Sequence, residues 1–181
     1  MFETIKNEKL VLSRFKLTDS EQIFDALIAS RKEISPWLSW LTPTYSLKSA
    51  KDFVTLQIDN WNKNIEYTYS VKNKKGDFLG VVSLQMFDTQ NDVASIGYWM
   101  NTQFTNKGYC TEALKLLISQ AFIPLNLIRV EIIVAIENKA SQQVAIKSGA
   151  TFEAILKNRL RIKGVASDAK IYTFTNANQI T

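Results

Sequence analysis

The apolar period changes sharply after residue 100, and that change constrains the fold more than any other feature of the chain. Val93 to Met100 reads as a strand. Beyond it, Cys110, Ala113, Leu114, Leu117, Ile118 and Ala121 recur at i, i+3, i+4, i+7, i+8 and i+11, a helix stripe that Pro124 closes. Ile128, Val130, Ile132, Val134 and Ile136 then alternate as a β-branched strand. Strand, helix and strand in that order require a parallel pair, with the crossover helix packed on the sheet.

The rest of the chain builds around this unit. Leu10 to Phe15 predicts a strand, and Thr18 with Glu21 has capping-box spacing before a helix carrying Ile23, Phe24, Leu27 and Ile28. Pro36-Trp37-Leu38-Ser39-Trp40-Leu41 is aromatic-rich and flanked by Pro43. Ser49 to Trp61 predicts a second helix, with Phe53, Leu56 and Trp61 toward the core. Tyr67, Tyr69 and Val71 alternate with polar residues, Asn73 to Asp77 is a turn, and Phe78 to Met86 returns, so these strands are antiparallel. Asn138 to Ser148 predicts a helix closed by Gly149, and strands near 152–162 and 169–174 join through Lys163-Gly164. The predicted order is β-α-α-β-β-β-α-β-α-β-β. The expected class is α/β (α+β), a mixed and mostly antiparallel sheet of about seven strands with helices on both faces. One domain over 1–181 is expected, with its core at about 10–174 and a polar tail after Phe174.

Composition removes several chemistries. The 181 residues contain no histidine, which excludes Ser-His-Asp and Cys-His machinery and imidazole metal ligands. Cys110 is the sole cysteine, so no intrachain disulfide or thiolate metal cage can form, and a cytoplasmic setting is expected. It sits on the helix stripe and reads as packing rather than as a nucleophile. No export signal or membrane span is read, the longest apolar run being Ile132 to Ile136. The +5 formal charge comes without a basic patch interleaved with aromatics, so nucleic-acid binding is the least supported partner class.

The junction from Asn101 to Glu112 carries the chemistry. A loop of Asn106, Lys107 and Gly108 opens a helix directly after a strand. The first helical turn there has backbone N–H groups without intrahelical acceptors, an anion site to which Lys107 adds charge. The pattern is neither a P-loop nor a dinucleotide fingerprint.

Three segments together resemble the GNAT superfamily of N-acetyltransferases. They are Ile96-Gly97-Tyr98-Trp99-Met100, then Asn106-Lys107-Gly108-Tyr109-Cys110-Thr111-Glu112-Ala113, then Asn138-Lys139-Ala140-Ser141 with Gly149 eleven positions after Asn138. Within the superfamily they are similar to the RimJ/RimL branch, whose named members acetylate the N-terminal amine of ribosomal proteins. Arg31 and the Pro36–Leu41 patch also look like this branch. The likeness covers about Leu10 to Phe174.

The resemblance implies a sheet whose central parallel pair is splayed apart and an acetyl-CoA site inside the opening. Its pyrophosphate would lie on Asn106, Lys107, Gly108, Tyr109, Cys110 and Thr111, and its pantetheine arm along Trp99, Met100 and Asn101. Asn138 and Ser141 would complete the cofactor contacts. The sequence departs from the pattern at Thr105, where a long polar residue is usual, and at Ala150, where Phe often follows the glycine. The tyrosine that often protonates the departing thiolate is replaced by Ala145, which leaves Ser141 as the implied donor. The glutamate often found before Ile-Gly-Tyr-Trp is replaced by Ser95, which leaves Glu66, or Asp92, as the base. Trp37 and Trp40 are the implied acceptor-groove residues, with Trp61 weighed as core.

The expected activity is therefore acetyl transfer from acetyl-CoA to a primary amine by direct attack, without a metal. A protein N-terminus suits a weak base. An α-amine of pKa near 8 is about one-tenth neutral at pH 7, so deprotonation costs roughly 1.4 kcal/mol, against more than about 4 kcal/mol for a lysine. Small-molecule amine acceptors and an impaired acyl-CoA-binding module stay open as alternatives. A homodimer is allowed, and neither a membrane nor direct nucleic-acid contact is expected.

Overall fold

The structure, a computed structural model, describes residues 1–176. Eight strands form one sheet: β1 (Thr4–Lys6), β2 (Leu10–Arg14), β3 (Tyr67–Asn73), β4 (Phe78–Asp88), β5 (Val93–Met100), β6 (Arg129–Ala135), β7 (Thr151–Ile162) and β8 (Val165–Thr175). Their order is β1-β2-β3-β4-β5-β6-β8-β7. Six α-helices connect them: α1 (Ser20–Ala29), α2 (Arg31–Ile34), α3 (Leu47–Asn62), α4 (Tyr109–Ile118), α5 (Phe122–Leu125) and α6 (Lys139–Ser148). The additional strand relative to the expected seven is β1. Its three residues bury only Ile5, too short a run for an alternation to register.

The parallel pair is where the period change predicted it, between β5 and β6, but it is brief. Val93, Ala94 and Ser95 pair with Arg129, Val130 and Glu131, and the register stops there. On its other side β5 stays paired with β4 as far as Met100 opposite Gly80. From Ile96 onward, β5 presents an edge that β6 does not fill. Gly80 is required at that register position. A Cβ there would lie 2.3 Å from the Trp99 carbonyl oxygen.

Two apolar clusters hold the sheet on its two faces. On one, Leu114 and Leu117 of α4 and Ala145 of α6 pack with Leu84, Ile96, Ile132 and Tyr172. On the other, Ile23 and Leu27 of α1 and Val54 of α3 pack with Phe15, Val81 and Trp99. Burying each of the larger aliphatic side chains contributes about 1.5–3 kcal/mol before chain entropy is set against it.

Several boundaries differ from expectation for local reasons. A 3-10 turn over Leu17–Asp19 precedes α1. Its closing residue is Asp19, not Thr18, because the Asp19 carboxylate accepts the Lys16 amide at 2.8 Å and pairs with Lys72 at 3.0 Å. In α3, capped by Ser46, the buried positions are Ala50, Val54, Gln57 and Trp61, while Leu56 is 55% exposed. Of the three expected core positions, Trp61 is buried and Phe53 packs half-buried against the α1–α3 cluster, and Leu56 alone points outward. The α4 helix ends at Ile118, ahead of Pro124, and the Pro124 segment forms the single turn α5. Thr175 still belongs to β8, and most of the expected polar tail lies outside the described residues.

Candidate functional site

The opening between β5 and β6 leads into two cavities. The first, about 800 Å³, runs over the start of α4 and is lined by Trp99, Met100, Asn106, Gly108, Tyr109, Cys110 and Thr111. The second, about 670 Å³, lies between the Ser35–Pro43 loop and the β7–β8 turn, with Gln85 and Gly97 lining it from the sheet. Trp37, Leu38, Tyr98, Asn138 and Ser141 line both.

The loop before α4 has the backbone of an anion cradle. Asn106 (φ 60°) and Gly108 (φ 79°) are both left-handed, and Gly108 has open space where a Cβ would project. The first bond of the helix runs from the Glu112 amide to the Gly108 carbonyl at 3.0 Å. The amides of Tyr109, Cys110 and Thr111 come before it and have no carbonyl one turn back to receive them. Successive N–H groups in such a turn suit a phosphate. Lys107 differs from expectation, since its ammonium donates to the Gln103 carbonyl at 3.3 Å and lies over the Phe104 ring. Asn101 is buried as a cap, its Oδ1 accepting the Gln103 amide at 3.2 Å and its own amide donating to the Leu79 carbonyl. Neither residue lines either cavity, and both brace the loop through these bonds.

Where the cavities meet, two hydroxyls face each other. The Tyr98 hydroxyl from β5 is 2.8 Å from Ser141 Oγ and 3.0 Å from the Ser141 carbonyl oxygen. Asn138 Oδ1 accepts the Ser141 amide at 3.1 Å and so caps α6 while fixing the serine. Burial pushes the Tyr98 phenol well above its usual range, with the nearby Cys110 adding to the shift. Burial also raises the Cys110 thiol to about 12, so it holds its proton, as its place on the stripe implied. Tyr98 stands inside a motif that the sequence singled out. Its role as partner of Ser141 was not legible, because 43 residues separate the two in the chain.

The carboxylates divide. Asp92 has φ 52° at the start of β5, beside the paired end of the β5–β6 step and away from the opening. Glu66 precedes β3 and accepts a hydrogen bond from Thr68 at 2.8 Å. Burial raises its pKa, and hydrogen bonds from Thr68, Ser83 and Asn60 offset part of the rise. Ser83 in turn meets Gln85 Oε1 at 3.3 Å, and the Gln85 side chain lies where a Cβ on Gly97 would be. Glu66 thus stands behind Gln85, one polar layer from the second cavity, and lines neither. Ser95 pairs with Glu131, whose carboxylate is held by Arg129 at 2.7 Å.

The aromatic residues also divide. Trp37 lines both cavities, whereas Trp40 stacks on Phe53 at 5.9 Å and leans on Tyr45 at 5.8 Å, lining neither. Trp61 is core, edge-on to Tyr67 and Tyr69. Arg31 ties down the intervening segment through the Pro43 and Tyr45 carbonyls. Among the described residues, no group of three acidic or cysteine side chains is placed to hold a metal ion.

Two cavities meet at one pair of hydroxyls, with a left-handed turn and a helix start at one end, a layout that suits a two-substrate transferase. The sequence profile described as acetyltransferase (GNAT) domain matches residues 9–151, and this chain belongs to that family. The uncharacterized N-acetyltransferase p20 of Bacillus licheniformis is 28% identical over 174 residues, covering 96% of this chain and 95% of the relative. The ribosomal-protein-serine acetyltransferase of Escherichia coli (strain K12) is 24% identical over 173 residues, covering 95% and 96%. Among solved structures, the microcin C7 self immunity acetyltransferase MccE, in complex with acetyl-CoA and AMP, superposes with a TM-score of 0.84 at 26% identity over 94% of each chain.

Proposed function

We propose that this protein moves the acetyl group of acetyl-CoA onto the N-terminal α-amine of a protein, a ribosomal protein being the acceptor class suggested by the E. coli relative. The observation that carries the reading is the meeting of the two cavities at Tyr98, Asn138 and Ser141, where β5 has parted from β6. The residues present fit the co-substrate. The turn from Asn106 to Thr111 suits its pyrophosphate, and the unfilled edge of β5 at Trp99 and Met100 suits an extended amide-bearing arm. That MccE was solved in complex with acetyl-CoA supports the ligand class.

In the proposed reaction the amine nitrogen attacks the thioester carbonyl. A C–N bond forms, the C–S bond breaks, and the nitrogen loses a proton while the departing sulfur gains one. Backbone amides near Trp99 and Met100 polarise the carbonyl oxygen. Ser141 donates a proton to the sulfur, Tyr98, 2.8 Å away, replaces it, and solvent water carries the proton taken from the amine back to Tyr98, so that both hydroxyls end as they began. Glu66 accepts the amine proton through water at the Gln85 edge of the second cavity. Burial raises its pKa, which makes it a stronger base than a solvated glutamate. An α-amine needs only this modest help, since about one-tenth of it is already neutral at pH 7.

The test is release of CoA thiol from acetyl-CoA in the presence of N-terminal peptides, polyamines and aminoglycosides, with mass spectrometry to place the acetyl group. Acetylation confined to peptide α-amines supports the reading. Acetylation of lysine side chains alone, or CoA binding with no acceptor turned over, overturns it.

A further inference from the structure

The second cavity has the wrong charge for a polycationic acceptor. None of its lining residues is an aspartate or glutamate, whereas Arg161 and Lys163 line it from the β7–β8 turn. Glu66 stands behind Gln85, Glu131 is held by Arg129, and Asp168 is held by Lys157 at 2.8 Å. The hairpin's other acid, Glu153, is held by Arg129 at 2.6 Å, and Glu137, which accepts a hydrogen bond from Ser167 at 3.3 Å beside the hairpin, does not line the cavity. Arg161 is fixed in place by donating to the Gly164 carbonyl at 2.6 Å, and Lys163 adopts φ 49° at the turn, so both cations belong to one defined loop. A cavity that accepted a second or third ammonium would need carboxylates to replace its hydration, because an unpaired charge in a confined site is costly.

We infer that Arg161 and Lys163 select an acceptor carrying negative charge close behind its reacting amine. This inference rests on the acceptor assignment above and narrows it. A peptide with aspartate or glutamate in the residues after its N-terminus satisfies the chemistry, and so does a small amine linked to a phosphate. The second cavity measures about 670 Å³, room for a few residues of chain or for one nucleotide. The amine lies toward Ser141 and the anion toward the β7–β8 turn, so charge at the turn orients the acceptor as well as holding it. Arg161 provides two parallel donors for a carboxylate or phosphate, and Lys163 adds a mobile charge beside it.

The experiment ranks acceptors that share one N-terminal residue and continue with acidic, amide or lysine residues, beside spermidine and phosphoethanolamine as the small anionic amine. The acidic peptides should exceed the amide peptides in kcat/KM by at least tenfold at low salt, with the margin shrinking as salt is raised. Arg161→Gln combined with Lys163→Gln should remove the margin and leave the KM for acetyl-CoA within about threefold. Lys74→Gln combined with Lys75→Gln, which removes the same net charge from residues lining neither cavity, should preserve it. The small anionic amine distinguishes the two sources of charge by outranking the peptides or falling below them. Calorimetry of the same acceptors, with and without CoA, reads the ranking without turnover. An acidic preference in binding without acetylation would overturn the acetyl-transfer reading and uphold the charge selection. Equal ranking of acidic, neutral and lysine peptides, or a preference for spermidine, would overturn the charge selection whatever the turnover.

Discussion

In the proposed reaction Ser141 and Tyr98 would share the task of proton donor, whereas Ala145 of α6 is fully buried in the core and lines neither cavity. Ser141 stands on the first turn of α6 and the Tyr98 phenol on β5, their hydroxyls 2.8 Å apart. Ser141→Ala should lower kcat by about 10²–10⁴-fold, the usual worth of a positioned acid, with acetyl-CoA affinity within about threefold. Tyr98→Phe keeps the ring and removes only the phenol oxygen. A kcat loss of about tenfold or more with unchanged affinity, measured by single-turnover kinetics, is expected if the two hydroxyls act in series. Near-native kcat in both variants would make them packing residues.

Glu66 supplies a pH signature. Its folded pKa is raised, so the folded state holds the proton more tightly than the unfolded chain does. Stability linked to Glu66 is therefore greatest below the ordinary glutamate range and falls as pH climbs through that range to the raised value. Glu66→Gln should remove this slope and raise Tm at pH 7 while lowering kcat/KM, whose rise with pH should lose its acidic limb. A variant with unaltered kcat/KM and pH profile would leave Glu66 as a structural partner of Thr68 and Ser83.

At the scale of elements, the close approach of β4 to β5 is the most exacting feature. Gly80→Ala would place a methyl 2.3 Å from the Trp99 carbonyl oxygen and 2.8 Å from Met100 Cα. A loss of at least about 2 kcal/mol in denaturant unfolding is expected, because the two nearest atoms are β5 backbone that cannot swing aside. In the 35–45 segment the two tryptophans should separate. Trp37→Ala should raise acceptor KM more than acetyl-CoA KM, whereas Trp40→Ala should act through stability, since it removes the stack on Phe53.

How much of this was legible in the sequence follows from range. The β5-α4-β6 step and its anion cradle were readable because period, cap and glycine lie within about forty consecutive residues. On α3 the expected face holds at Phe53 and Trp61 and fails at Leu56, because the neighbouring Gln57 takes the buried position and meets Thr68 at 3.0 Å. Gln85, Arg161 and Lys163 were invisible as site residues. They reach the second cavity only because the β7–β8 hairpin and the Ser35–Pro43 loop fold toward each other across the sheet. Trp40 was assigned to the acceptor groove by its neighbourhood in the chain, and its ring instead found Phe53, thirteen residues on.

For the whole molecule, the sheet is two pieces joined along a short seam. Strands β1 to β5 form one hydrogen-bonded block and β6 to β8 another, with Val93–Ser95 against Arg129–Glu131 as the main-chain bridge between them. The packing of α4 against α6 supplies the other mechanical link. A molecule built this way should open along the seam before either block melts, so amides of β5 beyond Ile96 should exchange with deuterium faster than those of β3 or β8. A ligand seated in the opening becomes a missing strand as well as a substrate. At one hundred times its dissociation constant it should add about 2.7 kcal/mol to stability and slow exchange on both flanks together. Binding would then stiffen the whole sheet, and release of the product thiol would restore its looseness once per turnover.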